Sequence, residues 1–123
     1  MKTYGIELIL DLHDCDPSTF NRRSLRNYFK ELCITIDMKR AKLCWWDDYR
    51  LPLEQQQTLP HLKGTSAVQF IMTSSIVIHT LDLLSAVYIN IFSCKDFDAE
   101  LAKEFSENWF KGKIASSHVI KRI

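Results

Sequence analysis

The sequence GTSAVQFIMTSSIVIHTLDLLSAVYINIFSC, residues 64–94, contains three apolar segments of strand length that are rich in β-branched residues. The segments are residues 67–72, 76–78 and 86–92, and polar groups separate them. Short apolar runs of this composition, bounded by turn residues, are typical of β-strands. The stretch therefore predicts three successive strands.

The connection Thr73-Ser74-Ser75 between the first two strands lacks glycine and asparagine. Tight hairpin turns usually need one of these residues because the favoured turns require positive φ angles, which Thr and Ser resist. We therefore predict a strained or irregular peptide at Thr73-Ser74. Strain of this kind concentrates at functional sites, although an ordinary turn serine is the simpler interpretation of Ser74 taken alone.

The rest of the chain shows alternating and helical patterns on either side of this stretch. Period-2 alternation predicts strands, and apolar residues at helical spacing predict amphipathic helices. Asp16 or Ser18 can cap the first helix, and Asp98 stands at the start of the second. The predicted elements are a strand at 3–13, a helix at 18–33, a strand at 33–44, a loop at 45–63, a helix at 97–110 and an edge strand at 114–123. Strands that occur in runs beside two helices predict an α+β two-layer sandwich.

Composition predicts one domain spanning residues 1–123. A net charge of +1 gives no basis for nucleic-acid or membrane binding, and no apolar run is long enough for a transmembrane helix. The N-terminus lacks the order of a signal peptide. Cys15, Cys33, Cys44 and Cys94 are scattered without zinc or redox spacing, so we expect free thiols, no metal site and a cytoplasmic location.

Four motifs in residues 64–94 resemble the S-adenosylmethionine decarboxylase family in its short bacterial and archaeal form. That family reads Gly-Val-Ser-Gly, Glu-Ser-His, His-Thr and Phe-Thr-Cys. This chain has GTSA at 64–67, TSS at 73–75, IHT at 78–80 and FSC at 92–94, without gaps in the spacing. The opening MKTYGIELILDLHDCD also resembles the family's first strand. The resemblance covers most of the chain except roughly residues 45–63.

The resemblance implies an antiparallel sheet with two helices on one face, paired into a homodimer. It also implies that the chain cleaves itself between Thr73 and Ser74 and that Ser74 becomes a pyruvoyl group, which forms a Schiff base with the substrate amine. Ser66 and His79 would take part in processing. The product would be decarboxylated S-adenosylmethionine, used in polyamine (spermidine) synthesis.

By the same resemblance, Cys94 would donate a proton to the carbanion that decarboxylation leaves. A thiol suits this role because its ordinary pKa of about 8.5 keeps it mostly protonated near neutral pH. Asp11 aligns, more weakly, with an acidic position on the family's first strand. Asp82 is a possible substrate-binding replacement for a family glutamate.

The sequence also departs from the family pattern around these residues. Thr73 stands where the family has Glu, and Ser75 where it has His. Leu81-Asp82-Leu83 replaces Trp-Pro-Glu, so the residues expected at adenine and ribose are missing, and Asp82 is one position out of register. Trp45 and Trp46 are interpreted as core and loop anchors, with replacement of the missing aromatic residue as the alternative.

Three classes of function therefore stay open. The first is a self-processing pyruvoyl-dependent decarboxylase, acting on S-adenosylmethionine or on a different amino acid. The second is an unprocessed homologue that binds a nucleoside-like ligand or a partner protein. The third is an enzyme that uses Cys94 with His79 as a nucleophile pair, for which the sequence offers no orienting acid.

Overall fold

Six antiparallel strands form a single sheet in the computed structural model, which describes residues 2–123. The strand order is β2-β3-β4-β5-β1-β6, and both helices cover one face of the sheet. The predicted α+β two-layer sandwich, with its last strand at an edge, is confirmed. The elements are β1 Gly5–His13, α1 Arg22–Thr35, β2 Arg40–Trp46, β3 Gly64–Ile71, β4 Ser74–Leu81, β5 Ala86–Ser93, α2 Ala99–Phe110 and β6 Lys113–Arg122.

Alternation along the strands places one set of side chains under the helices. The fully buried residues of the sheet include Leu8 and Leu10 from β1 and Ile76 and Ile78 from β4. The helices cover them with the buried side chains of Leu25, Tyr28, Phe29, Leu32, Ala102 and Phe110. Because this face supplies the core, every residue of opposite parity on the strands points to the other, helix-free face.

The start of α1 differs from the prediction. Asp16 caps only a short 3-10 turn, Pro17–Thr19, by accepting a hydrogen bond from the Ser18 amide. The N-cap of α1 is Asn21, whose Oδ1 accepts from the Ser24 amide at 2.8 Å. Asp98 caps α2 from the predicted position, and its Oδ1 accepts from the Leu101 amide at 3.1 Å.

The predicted strand at 33–44 is wrong in its position. The helix continues to Thr35 because Leu32, Cys33 and Ile36 keep the buried stripe of α1 against the sheet. The chain then reverses at Asp37, which has a φ of 57°. The strand that follows is β2, Arg40–Trp46, so both tryptophans belong to the sheet and not to the loop.

The hairpin between β3 and β4 is tighter than the sequence suggested. Ile71 pairs with Ser74, so only Met72 and Thr73 connect the strands. Ser74 and Ser75 are therefore part of β4 and lie on opposite faces of the sheet. Neither helix in residues 2–123 is long and apolar enough to cross a membrane.

Candidate functional site

The β3–β4 turn places a strained residue directly before Ser74. Thr73 has a φ of 53°. It is the only β-branched residue among the five non-glycine residues with positive φ in residues 2–123, and for a β-branched side chain that conformation is a genuine outlier. The predicted irregular peptide is therefore confirmed at Thr73.

Cys94 lies against this turn, at the end of β5. The Cys94 amide donates a hydrogen bond to Ser74 Oγ at 2.9 Å. Thr73 Oγ1 donates to Cys94 Sγ at 3.4 Å, and the thiol lies 3.6 Å from the Met72 carbonyl oxygen. Pairing of β4 with β5 brings these groups together. Ser75 is opposite Phe92, so the start of β4 at Ser74 and the end of β5 before Cys94 meet at the turn.

A cavity of about 500 Å³ opens beside Ser74 and Cys94. Its apolar wall comes from methionine and isoleucine side chains, and its rim carries two lysines and one aspartate. Lys95 contacts the Asp37 carbonyl oxygen, and its Nζ lies 3.3 Å from the Asp37 carboxylate. The residues that line the cavity are Asp37, Met38, Lys39, Ile71, Met72, Ser74, Ser93, Cys94 and Lys95. This volume falls in the range of small-molecule sites.

The surroundings of Cys94 lower the pKa of its thiol. The hydroxyl group of Thr73 is the largest cause, because it donates to the sulfur and stabilises the thiolate, and the hydroxyl of Ser74 is the next. The sequence-based expectation of an ordinary thiol pKa therefore does not describe the uncleaved chain. The thiolate is favoured more than in a free cysteine while Thr73 and Ser74 are joined.

Ser66 and His79 form a second pair on the helix-free face. Ser66 Oγ and His79 Nδ1 are 2.7 Å apart, and the two residues are directly opposite each other on β3 and β4. The neighbouring strands add Trp46 opposite Ser66, Tyr88 opposite His79 and Asp11 opposite Tyr88. These side chains form one row across the sheet, because directly opposed residues point to the same face.

Within one chain, the Ser66–His79 pair lies far from the Ser74–Cys94 pair. His79 is five residues beyond Ser74 on β4, which corresponds to about 16 Å along the strand. Ser74 also shares the buried parity of Ile76 and Ile78, whereas His79 has the opposite parity. The same separation keeps Cys94 away from His79, so the two residues do not form a nucleophile pair within one chain.

Asp82 lies near the far end of β4 from Ser74, in the β4–β5 turn. It lines a different cavity, of about 560 Å³, with Arg22, Arg23 and Tyr49 among the other residues. Arg22 is bound to Asp47 at 2.7 Å and 2.9 Å and lies over the rings of Trp45 and Tyr49. Trp45 therefore anchors the loop on the helix side, as interpreted from the sequence.

We expect Asp82→Asn to raise the free energy of unfolding at pH 7. Burial raises the pKa of Asp82, with Asp48 adding to this effect and Lys63 opposing it. A raised pKa in the folded state means that ionisation near neutral pH opposes folding. The gain should disappear below about pH 4, where the carboxyl group is protonated in both states. Urea unfolding at several pH values measures this, with the exposed Asp96→Asn as control; an equal gain at pH 3 would contradict it.

Tyr88 and Lys95 lie next to the site and were not predicted from the sequence, and Trp46, interpreted as a core or loop anchor, is instead exposed on the helix-free face. Trp46 is 57% exposed beside Ser66 on the helix-free face, Tyr88 lies beside His79, and Lys95 reaches across the rim of the first cavity. Alternation along each strand indicates which face of the sheet Trp46 and Tyr88 point to. Which residues lie beside them depends on the register between strands. The four cysteines are free, and residues 2–123 contain no cluster of His, Cys, Asp and Glu suited to a metal ion.

Comparison with known proteins identifies the fold and the family. The family model for S-adenosylmethionine decarboxylase matches residues 6–123. The crystal structure of the adenosylmethionine decarboxylase from Aquifex aeolicus VF5 is similar, with a TM-score of 0.76 and 16% sequence identity. The match covers 99% of this chain and 92% of that one, and at this identity it shows the fold alone. No curated protein gives a significant sequence match.

Proposed function

Because the chain belongs to the S-adenosylmethionine decarboxylase family, we propose that it is a self-processing, pyruvoyl-dependent decarboxylase. One observation supports this proposal most strongly. The β-branched Thr73 is held at a φ of 53° in a two-residue turn, immediately before a serine that contacts Cys94. Strain at a bond that is to be broken favours its cleavage.

Cleavage would start with attack of Ser74 Oγ on the carbonyl carbon of Thr73. The bond between that carbon and the Ser74 nitrogen breaks as the ester forms, and the nitrogen takes up the proton. Removal of the Ser74 α-proton then expels the Thr73 carboxylate and leaves dehydroalanine at position 74. Addition of one water and loss of ammonia give the pyruvoyl group. The hydrogen bond from the Cys94 amide orients Ser74 Oγ and stabilises the negative charge that the oxygen gains when its proton is removed.

The residues around position 74 fit a pyruvoyl group at the start of the second fragment. Such a group supplies a ketone that condenses with a substrate amine and draws electrons from the bond to the departing carboxylate. The cavity of about 500 Å³ beside Ser74 gives a substrate access to this position. Cys94 lines this cavity, and we propose it as the donor of the proton that replaces the departing carboxylate.

The proposed substrate is S-adenosylmethionine, in the synthesis of polyamines such as spermidine, inside the cytoplasm. Asp11 and Asp82 are its proposed polar contacts, and both lie well away from Ser74 within one chain. The alternative is another amino acid, because leucines stand where aromatic and acidic nucleoside-binding residues were expected. Trp46 favours the nucleoside substrate, because its indole ring is exposed beside Ser66 and offers an aromatic surface in place of the missing one.

We further propose that the working unit is a homodimer in which the helix-free faces of two sheets pack together. That face carries part-exposed apolar side chains, including Val68, Phe70, Val77 and Phe92. A two-fold axis across the strands near Val77 would place the Ser66–His79 pair of one chain over the end of β4 that carries Ser74 in the other, where a cavity lined by Phe70, Ser74 and Phe92 opens. The distance of about 16 Å between His79 and Ser74 in one chain supports this arrangement.

Intact-protein mass spectrometry of the freshly purified, untagged chain tests the proposed function. We expect two fragments, residues 1–73 and residues 74–123, the second carrying a ketone that reacts with a hydrazide reagent. Carbon dioxide release from carboxyl-labelled S-adenosylmethionine then tests the substrate. A single mass that persists after long incubation would overturn the proposal and favour an unprocessed protein that binds a nucleoside-like ligand or a partner.

A further inference from the structure

The Cys94 thiol is held by residues that precede the bond proposed to break. Thr73 Oγ1 lies 3.4 Å from Cys94 Sγ, and the Met72 carbonyl oxygen lies 3.6 Å from the same sulfur. Both groups belong to the last two residues of the proposed first fragment. The position of the proton donor therefore depends on a turn that self-cleavage would open.

The Thr73 hydroxyl has two acceptors and a single proton. It lies 2.8 Å from the Met72 carbonyl oxygen as well as 3.4 Å from the Cys94 sulfur. When the sulfur is a thiolate, the hydroxyl can donate to it; when the sulfur is a thiol, its own proton can be donated to Met72. In both arrangements Cys94 is bound to the uncleaved turn.

We propose that Thr73 is a positioning residue: its hydroxyl holds Cys94 against the intact turn, and cleavage after Thr73 frees the thiol to act as proton donor. This inference rests on the proposed function, because it assigns the release to self-cleavage. Cleavage removes the Ser74 hydroxyl and turns Thr73 into a chain end with a carboxylate. The Thr73 hydroxyl at the sulfur and the Ser74 hydroxyl at the Cys94 amide are therefore both affected by the reaction that creates the catalytic group.

The charged groups around the cavity do not change in that reaction. Asp37, Lys39 and Lys95 line it together with Cys94. The Lys95 charge favours the thiolate, but less than the hydroxyl contacts of Thr73 and Ser74 do. Loss of these contacts moves the pKa of Cys94 back up, so the sulfur carries a proton when a carbanion has to be quenched.

Alkylation of Cys94 in uncleaved chains tests the role of Thr73. All variants carry Ser74→Ala, which keeps the turn intact, and Cys44→Ser, which removes a partly exposed second thiol. Thr73→Val keeps the shape of the side chain without the hydroxyl, and Thr73→Ser keeps the hydroxyl. The rate of iodoacetamide modification of Cys94 is followed by peptide mass spectrometry from pH 6 to pH 10, and thermal unfolding confirms that each variant is folded.

We expect Thr73→Val to move the midpoint of the alkylation profile to higher pH and to slow modification several-fold at pH 7. Thr73→Ser should restore the profile of the threonine chain. A midpoint that does not move in folded Thr73→Val would overturn the positioning role, whether or not the protein is a decarboxylase.

The cleaved wild-type protein tests the release step. Its Cys94 should titrate at higher pH than Cys94 of the uncleaved Ser74→Ala chain; an equal or lower midpoint would overturn the release. A wild-type chain that never cleaves would instead overturn the proposed function and the release step with it. In that case the comparison of Thr73→Val with Thr73→Ser still decides whether Thr73 positions the thiol.

Discussion

Ser74→Ala is expected to leave the protein as one uncleaved chain, with no reaction toward hydrazide and no release of carbon dioxide. The substitution removes the hydroxyl oxygen that accepts the Cys94 amide hydrogen bond and that belongs to the residue directly after the Thr73 carbonyl. Alanine is smaller than serine and fits the same buried position in β4, so the structural change is mainly the loss of the hydrogen bond from the Cys94 amide. Loss of activity should therefore come without loss of fold.

Ser75→Ala is the matched control for this experiment. Ser75 is the next residue in β4, carries the same hydroxyl group and points to the opposite face of the sheet. We expect its chain to cleave at the wild-type position. Mass spectrometry of both variants, with circular dichroism to verify folding, separates the outcomes. Cleavage of folded Ser74→Ala at residue 73 would remove Ser74 from the role proposed for it, and equal loss in folded Ser75→Ala would show that the effect is not specific to Ser74.

His79→Ala alone is expected to abolish cleavage, and co-expression with Ser74→Ala chains is expected to restore it. In a mixed dimer, the His79→Ala chain supplies an intact Ser74 and the Ser74→Ala chain supplies an intact Ser66–His79 pair. One of the two composite sites is then complete. With random mixing about half of all dimers are of this kind, so about half of the His79→Ala chains should be cleaved.

The two chains must be distinguishable by mass, and only the His79→Ala chain should yield fragments. His118→Ala on β6 is the control, because it removes an exposed histidine that is opposite Ile9 on the same sheet, and it should cleave without help. If His79→Ala chains stay intact in mixed dimers verified by mass, the composite site is wrong. If His79→Ala chains cleave by themselves, His79 has no part in processing.

Much of the fold could be predicted because its information is local. Short apolar runs rich in β-branched residues between positions 67 and 92 predicted three strands, and helical spacing predicted both helices. The absence of glycine in the β3–β4 turn predicted the unusual conformation of Thr73, since a β-branched side chain in a two-residue hairpin has few other conformations. The spacing of Ser66, Ser74, His79 and Cys94 predicted the family by resemblance, and the family match agrees.

Element ends were less predictable because packing decides them. Helix α1 extends past Cys33 since Ile36 is buried against the sheet, and β2 reaches Trp46 since β3 supplies a pairing partner as far as Ser66. The pairing of β2 with β3 also contains a register shift between Arg40 and Leu43. No local pattern encodes that irregularity, so the position of Trp46 beside Ser66 could not be read from the sequence.

The sequence by itself determined which residue types can do the chemistry, the strands that carry them and the strained turn, because these depend on neighbours along the chain. Only the tertiary structure decided which of them meet. Cross-strand register brings Cys94 to Ser74 and His79 to Ser66, while strand parity and a length of about 16 Å separate the two pairs. Distances between strands arise from the whole sheet, and no single segment contains them.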